Sequence, residues 1–91
     1  MVNFEECEDL TDAEIQTLLE AIPRDLFLRA IAGSNEALKQ RFFKNLSAKA
    51  VQCIEGDLKQ LRAAADDVEN ARREVVGILQ GLIDKGTVAA P

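Results

Sequence analysis

Apolar residues in this chain return every three or four positions, and nowhere do they alternate with polar ones over the length of a strand. That period lines one face of an α-helix, so the chain is confined to helix-on-helix packing. Ile15, Leu18, Leu19 and Ile22 show it first, followed by Leu26, Phe27, Ala30 and Ile31, then by Leu38, Phe42 and Phe43. Ala50, Val51, Ile54, Leu58 and Leu61 make a fourth stripe. Val68, Ala71, Val75, Ile78 and Leu82 make the fifth, widened by Val76, Leu79 and Ile83, which marks a central strut touching several helices. The fold class is therefore all-α: five main helices plus a short N-terminal helical turn anchored by Phe4. The 91 residues suit one small domain, drawn here as 1–86 with a frayed tail over 87–91.

Punctuation between the stripes supports these boundaries. Thr11 and Glu14 have capping-box spacing, and Asn3 with Glu6 is a weaker instance. Pro23 stops the first main helix and suits the first position of the next. Gly33 and Gly86 stand where left-handed cap residues are expected. Ser34 and Asn35 restart the chain, Ser47 opens the helix drawn over 47–62, and Asp66 with Glu69 supplies a capping signal for the last. Leu46, in the connection before Ser47, is expected to pack inward. Gly77 and Gly81, four apart, are read as a close contact with another helix of the same core, since the membrane meaning of that spacing does not suit soluble flanks.

Charge and residue inventory exclude several function classes. A net charge of −5 lacks the basic footprint of a nucleic-acid binder, and with no Trp or Tyr there is no base-stacking platform. No run is long enough to cross a bilayer and the N-terminus is acidic, so neither membrane insertion nor a signal peptide is expected and the protein is placed in the cytoplasm. With no His, the usual general base and neutral metal ligand are missing. The carboxylate pairs Glu5-Glu6, Glu8-Asp9 and Asp66-Asp67 stand at or near helix starts, where the dipole accounts for them. An acid-catalysed hydrolase would need converging carboxylates of raised pKa. Cys7 and Cys53 are isolated and read as free thiols. No enzyme, metal, cofactor or small-molecule substrate is expected. An acidic surface does suit a protein partner presenting Lys or Arg.

The one ambiguous surface lies on the helix over 47–62. Lys49, Cys53 and Asp57 follow one another at four-residue spacing beside the apolar stripe, with Gln52, Gly56 and Lys59 nearby. Such a row is either a solvated face or a docking face. Arg41 and Lys44, on the helix before, read either as solubilising charges or as an extension of the same surface.

Taken in order, the segments resemble the C-terminal helical domain of FliG, the rotor protein of the bacterial flagellar switch complex, from Met1 to about Gly86. MVNFEECEDLTDAEIQTLL is similar to that family's MFxFEDL segment and the D-x-x-I-Q-x-L-L helix after it, with Val2 in place of the first Phe. LFLRAIAGSNEALKQRFFKNLSAKA is similar to AL-K-G followed by E-L-R-E-K-F-L-x-N-M-S-x-R-A, and FFKNLSAKA is the most specific piece. DVENARREVVGILQGLIDKG resembles the closing D-V-E-x-A-Q-x-x-I-V helix.

The resemblance implies a six-helix unit of armadillo-like superhelical type, seated at the cytoplasmic face of the inner membrane in the flagellar basal body among other rotor and switch-complex subunits. It implies that the helix over 47–62 meets the cytoplasmic loop of the stator protein MotA through opposite charges and transmits torque. The partner-binding residues on that reading are Lys49, Glu55, Asp57, Lys59, Arg62 and Arg41. Lys49 matches a basic position and Asp57 the second of two adjacent acids. Gly56 stands where the first acid belongs, Glu55 is one position off, and Ala32 replaces a basic residue before Gly33. The family's G-P-V-R segment is replaced by RAAA, leaving Arg62 as the nearest base. Those departures frame the alternative, a non-motor helical adaptor that keeps the fold and has lost the stator contact.

Overall fold

The computed structural model describes residues 3–89, so the matches at Met1 and Val2 and the last two residues of the tail lie outside the described residues. A 3₁₀ helix, Phe4–Asp9, precedes five α-helices: α1 Asp12–Ala21, α2 Arg24–Ile31, α3 Glu36–Phe43, α4 Ala48–Gln60 and α5 Ala65–Asp84.

Helix starts follow local chemistry. At α1 the Thr11–Glu14 box is complete: the Thr11 amide donates to Glu14 Oε1 at 2.9 Å and the Glu14 amide donates to Thr11 Oγ1 at 3.2 Å. The Leu38 amide donates to the Asn35 side chain at 2.8 Å, capping α3. Pro23 sits one position earlier than expected, as the extended residue before α2. Asn3 accepts only through its backbone carbonyl, so the proposed Asn3–Glu6 box is not made. At α5 the Asp66–Glu69 signal is bypassed. The helix starts at Ala65, and the Asp67 carboxylate accepts from the Ala64 amide at 3.3 Å, with no side-chain acceptor on Ala64 to return the bond.

The core is built on α5 lying against α2, with α1 and the 3₁₀ helix also on α5. Five of the eight α2 residues, Leu26, Phe27, Leu28, Ala30 and Ile31, are buried. From α5, Ala71, Val75, Val76 and Leu79 meet them. Phe42 of α3 is fully buried between Phe4, stacked at 6.3 Å, and Phe27, edge-on at 5.3 Å. Fully burying each large apolar side chain is worth about 1.5–3 kcal/mol, so this interior dominates the stability of the domain. Leu46 packs against it in part, as its place in the connection requires.

Two expectations are overturned. A Cβ built on Gly77 or Gly81 would meet nothing within 4 Å, so neither glycine makes a close helix contact. The segment after Gly86 does not fray as far as Ala89. Gly86, at φ +76°, lets the Thr87 amide reach the Leu82 carbonyl at 2.9 Å while its own amide reaches Ile83 at 2.9 Å. That turn buries Val88, and the Ala89 amide donates to Glu14 Oε2 at 3.0 Å. Glu14 therefore serves both a helix cap and the docked tail, and these backbone donors hold its carboxyl below the ordinary range.

Substitution of the glycines should separate these roles. Gly77→Ala is expected to stabilise the domain by about 0.5–1 kcal/mol, because it adds helix propensity without a clash. Gly33→Ala, at φ +73°, is expected to destabilise it by about 1–2 kcal/mol. Urea unfolding midpoints decide both, and a destabilising Gly77→Ala would restore the close-contact reading. The thiols give a second check. Cys7 is fully buried and desolvation pushes its pKa up to about 12, whereas Cys53 is exposed. A thiol reagent should titrate one cysteine in the native protein at pH 8 and two in denaturant.

Candidate functional site

Helix α4 stands at the margin of the core. Ser47 Oγ accepts from the Ala50 amide at 3.1 Å and fixes its start. Of the apolar stripe, only Ile54 is buried; Ala50, Val51, Leu58 and Leu61 are half-covered. The sequence pattern thus marks the correct face but overstates its burial, because α4 packs chiefly on α2 and not in the middle of the bundle. The helix ends at Gln60, with Leu61 and Ala64 in extended conformation on either side of a short connector. Arg62 belongs to that connector and not to the helix drawn over 47–62.

A turn of 3.6 residues spreads the six candidate residues over separate places. Lys49 and Asp57 lie on the edge facing the start of α2. Asp57 is ion-paired there with Arg24, a residue with no role in the sequence reading. Arg24 and Lys49, with Ser47, Ala50, Cys53 and Ile54, line a hollow of about 390 Å³. Glu55 and Lys59 lie on the opposite edge, where with Lys39, Leu58, Leu61 and the Ala32–Gly33 turn they line a second hollow of about 340 Å³. Between the edges the outermost positions are Gln52, Gly56 and Gln60, all exposed and uncharged. Gly56 is not forced by packing, since a Cβ there would meet nothing within 4 Å.

The first turn of α4 is also electrostatically unlike the rest. Each of the other four α-helices carries Asp or Glu in its first turn, whereas α4 has none and places Lys49 there. A cation at the positive end of a helix dipole is locally unfavourable, by roughly 0.3–1 kcal/mol on an exposed surface. Among the described residues no carboxylate lies within ion-pairing distance of Lys49 to offset this.

With that geometry in view, comparison with known proteins is decisive. Residues 1–89 match the family model of the FliG C-terminal domain. The chain belongs to the FliG C-terminal domain family. It is 32% identical over 89 residues to the flagellar motor switch protein FliG of Vibrio cholerae, covering 97% of this chain and 26% of that protein. The Aquifex aeolicus FliG is 30% identical, covering 97% of this chain and 27% of that protein. The chain thus spans about a quarter of the length of these relatives. The structure of full-length A. aeolicus FliG superposes with a TM-score of 0.90 at 31% identity, over 94% of this chain and 27% of that one. FliG residues 86–343 from H. pylori superpose at 0.93 with 26% identity, over 99% of this chain and 43% of that one. The expected all-α architecture is that of the FliG C-terminal structures.

Within this FliG C-terminal fold Arg41 is not part of the α4 surface. Its Nη1 donates to Asp12 Oδ1 at 2.7 Å, its Nε donates to the Glu8 carbonyl at 3.2 Å, and its Nη2 donates to the Leu10 carbonyl. Lys44 Nζ adds a contact to Asp12 Oδ2 at 3.5 Å. Both bases hold α3 to the segment entering α1, 29 or more residues away in sequence, a pairing no local pattern announces. Arg72 is the other missed base. Its Nε donates to the Ala30 carbonyl at 2.8 Å and its Nη2 to the Ala32 carbonyl at 3.0 Å and Ser34 Oγ at 3.2 Å, while its guanidinium lies 5.3 Å from the centre of the Phe4 ring. Ala32 contributes a backbone acceptor to that clamp. No group of three or more His, Cys, Asp or Glu capable of holding a metal exists among the described residues. Asp12 and Glu14 both have pKa values moved downward, away from general-acid behaviour.

The Arg41 clamp has a pH signature. The Arg41 and Asn45 hydrogen bonds to Asp12, with the nearby Lys44 charge, hold its carboxyl below the ordinary 3.8. A carboxyl depressed on folding stabilises above its unfolded pKa and loses that contribution as pH falls through the folded value. Arg41→Met should therefore destabilise the domain at pH 7. The gap to wild type should narrow as pH drops below 3.8, leaving the part due to the Glu8 and Leu10 carbonyls. Paired urea titrations from pH 7 to pH 2 measure it, and a gap independent of pH would show that Asp12 contributes nothing to the clamp.

Proposed function

We propose that this domain is a non-catalytic component of a flagellar rotor, and that α4 is its contact surface for the cytoplasmic loop of a stator protein such as MotA. The observation that carries the reading is the family match over residues 1–89, together with an exposed helix whose first turn carries the cation Lys49. The relatives bear the name flagellar motor switch protein, which supports assembly with other switch-complex subunits in the same motor. No helix among the described residues is long and apolar enough to cross a membrane, and on this reading the domain works at the cytoplasmic face of the inner membrane, in the flagellar basal body. Exposed charge pairs contribute only about 0–1 kcal/mol each but steer encounters, which suits a contact made and released at every step.

Lys49 and Asp57 are the contact residues on one edge, with Glu55 and Lys59 on the other and Arg62 beyond the helix end. Asp57 is already answered by Arg24, so a basic group on a partner must compete for it. That competition, and the uncharged outer positions Gln52 and Gly56, favour a second reading in which the domain is an adaptor without a stator contact.

A chimaera of V. cholerae FliG carrying this chain in place of its own C-terminal domain tests the two. The torque reading expects flagellated cells that spread in soft agar, and a Lys49→Glu variant whose spreading falls by half or more while flagella persist. Flagellated but immotile chimaeric cells support the adaptor. Undiminished swimming with Lys49→Glu, with the domain folded, sinks the stator role of this helix.

A further inference from the structure

We propose that the groove between the 3₁₀ helix and the first turns of α5 receives a segment of a protein partner in which an apolar side chain is flanked by Lys or Arg. The apolar side chain rests on Val68 and Phe4, and the cation meets Glu5 and Glu8 of the 3₁₀ helix. No residue of α4 lines this groove, so its occupant is independent of the stator contact.

The groove encloses about 830 Å³, ample for an anchoring side chain and its neighbours. Its floor is apolar because α5 overhangs the interior. The core takes Ala71, Val75, Val76 and Leu79 from that helix and nothing from the six residues before Ala71. Val68 carries the apolar stripe one turn further, half-covered and outside the packed interior, with Ala65 exposed beyond it. An apolar stripe that outruns its own core in a concave setting marks a contact for another chain. The two cations of the lining are already answered from within the domain. Arg72 directs Nε and Nη2 to the Ala30 and Ala32 carbonyls and Ser34 Oγ, and Arg73 Nη2 lies 3.8 Å from Glu69 Oε1. Glu5, also in the lining, has no cation within ion-pairing distance among the described residues.

The 3₁₀ helix sets the sign of the partner. Its three residues per turn put Phe4, Cys7 and Leu10 on the buried face and bring Glu5 and Glu8 onto one line beside it. With Glu6 and Asp9, the segment Phe4–Asp9 holds four negative charges on a chain whose total is −5. None of the four is ion-paired among the described residues. Glu5 and Glu6 suit the amide end of this helix, but Glu8 and Asp9 stand at its carbonyl end, and its last turn has no basic residue. The start of α1 is already served by Thr11, Asp12 and Glu14. Helix dipoles therefore leave the Glu8–Asp9 end of this charge without a structural reason, and a basic partner complements it. An acidic line beside an apolar floor selects a base next to an apolar side chain.

The test uses the 91-residue chain, labelled with ¹⁵N, and the end-blocked peptide Gly-Lys-Leu-Leu-Lys-Gly at low salt. Two control peptides carry Ser in place of both Leu, or Glu in place of both Lys. The Lys-Leu peptide is expected to shift the amides of residues 4–8 and 65–76 saturably, with neither control giving a comparable response. Val68→Asp should abolish the response. Because Val68 lies outside the packed interior, this variant keeps its fold, which its backbone spectrum checks. Glu5→Gln and Glu8→Gln should each weaken binding roughly two- to fivefold, the range of exposed charge pairs. Asp84→Asn, which removes an acid at the far end of α5, should leave binding unchanged. No saturable shift, shifts that map to α4, a control peptide equal to the Lys-Leu peptide, or Glu5→Gln no weaker than Asp84→Asn would each overturn the proposal. Concentration-dependent shifts of the same amides in the chain alone would make a second copy the occupant, and would overturn it as well.

Discussion

The contact on which this domain depends is the burial of α2 against α5. An eight-residue helix is too short to persist in water unaided, since its nucleation cost is spread over few hydrogen bonds. It persists here because five of its side chains are buried, and because Arg72 of α5 reaches across to the carbonyls at its end. Those carbonyls belong to the last turn, where no backbone amide continues the ladder. Left half-buried and unpaired, each would cost about 1–3 kcal/mol. The same guanidinium sits over Phe4 and donates to Ser34, so one side chain fastens the 3₁₀ helix, the Gly33 turn and the long helix together.

That arrangement leaves α4 outside. With one buried residue, it is held by the Ser47 cap, by Ile54 and by the Arg24–Asp57 pair, while the interior is complete without its outer half. A helix placed in this way can present side chains without disturbing the core. The half-covered residues Ala50, Val51, Leu58 and Leu61 have the same cause. They keep α4 seated without making it part of the central packing.

Much of this was readable from local pattern. The Thr11–Glu14 box, the left-handed Gly33 and Gly86, and the stripes of α1, α2, α3 and α5 depend on residues within a few positions of one another, and periodicity captures such relations. What pattern missed is non-local or energetically flat. The alanines around the connector between α4 and α5 have good helix propensity, so the break after Leu61 rests on geometry and not on composition. Val88 is buried because α1 lies beside the end of α5 and Glu14 has a free oxygen for Ala89. Arg24, Arg41 and Arg72 find partners 29 to 42 positions away, and a charged residue's partner at such distances leaves no trace in spacing. The row of candidate residues on α4 was legible in spacing, while its division into two edges, and the engagement of Arg41 elsewhere, became visible only in three dimensions.

The distribution of charge on α4 gains a physical sense once the edges are separated. Gly56 occupies the outermost line of α4, where a side chain would touch nothing, so its lack of charge is not imposed by the fold. Gln52 and Gln60 continue that line, and Asp57 is turned aside by Arg24. The crest of α4 is therefore almost without charge, and its charges stand at the edges, Lys49 with the Arg24–Asp57 pair on one and Glu55, Lys59 and Lys39 on the other. Long-range attraction at that point is weak and short-lived at physiological salt, where fields fade over about 8 Å.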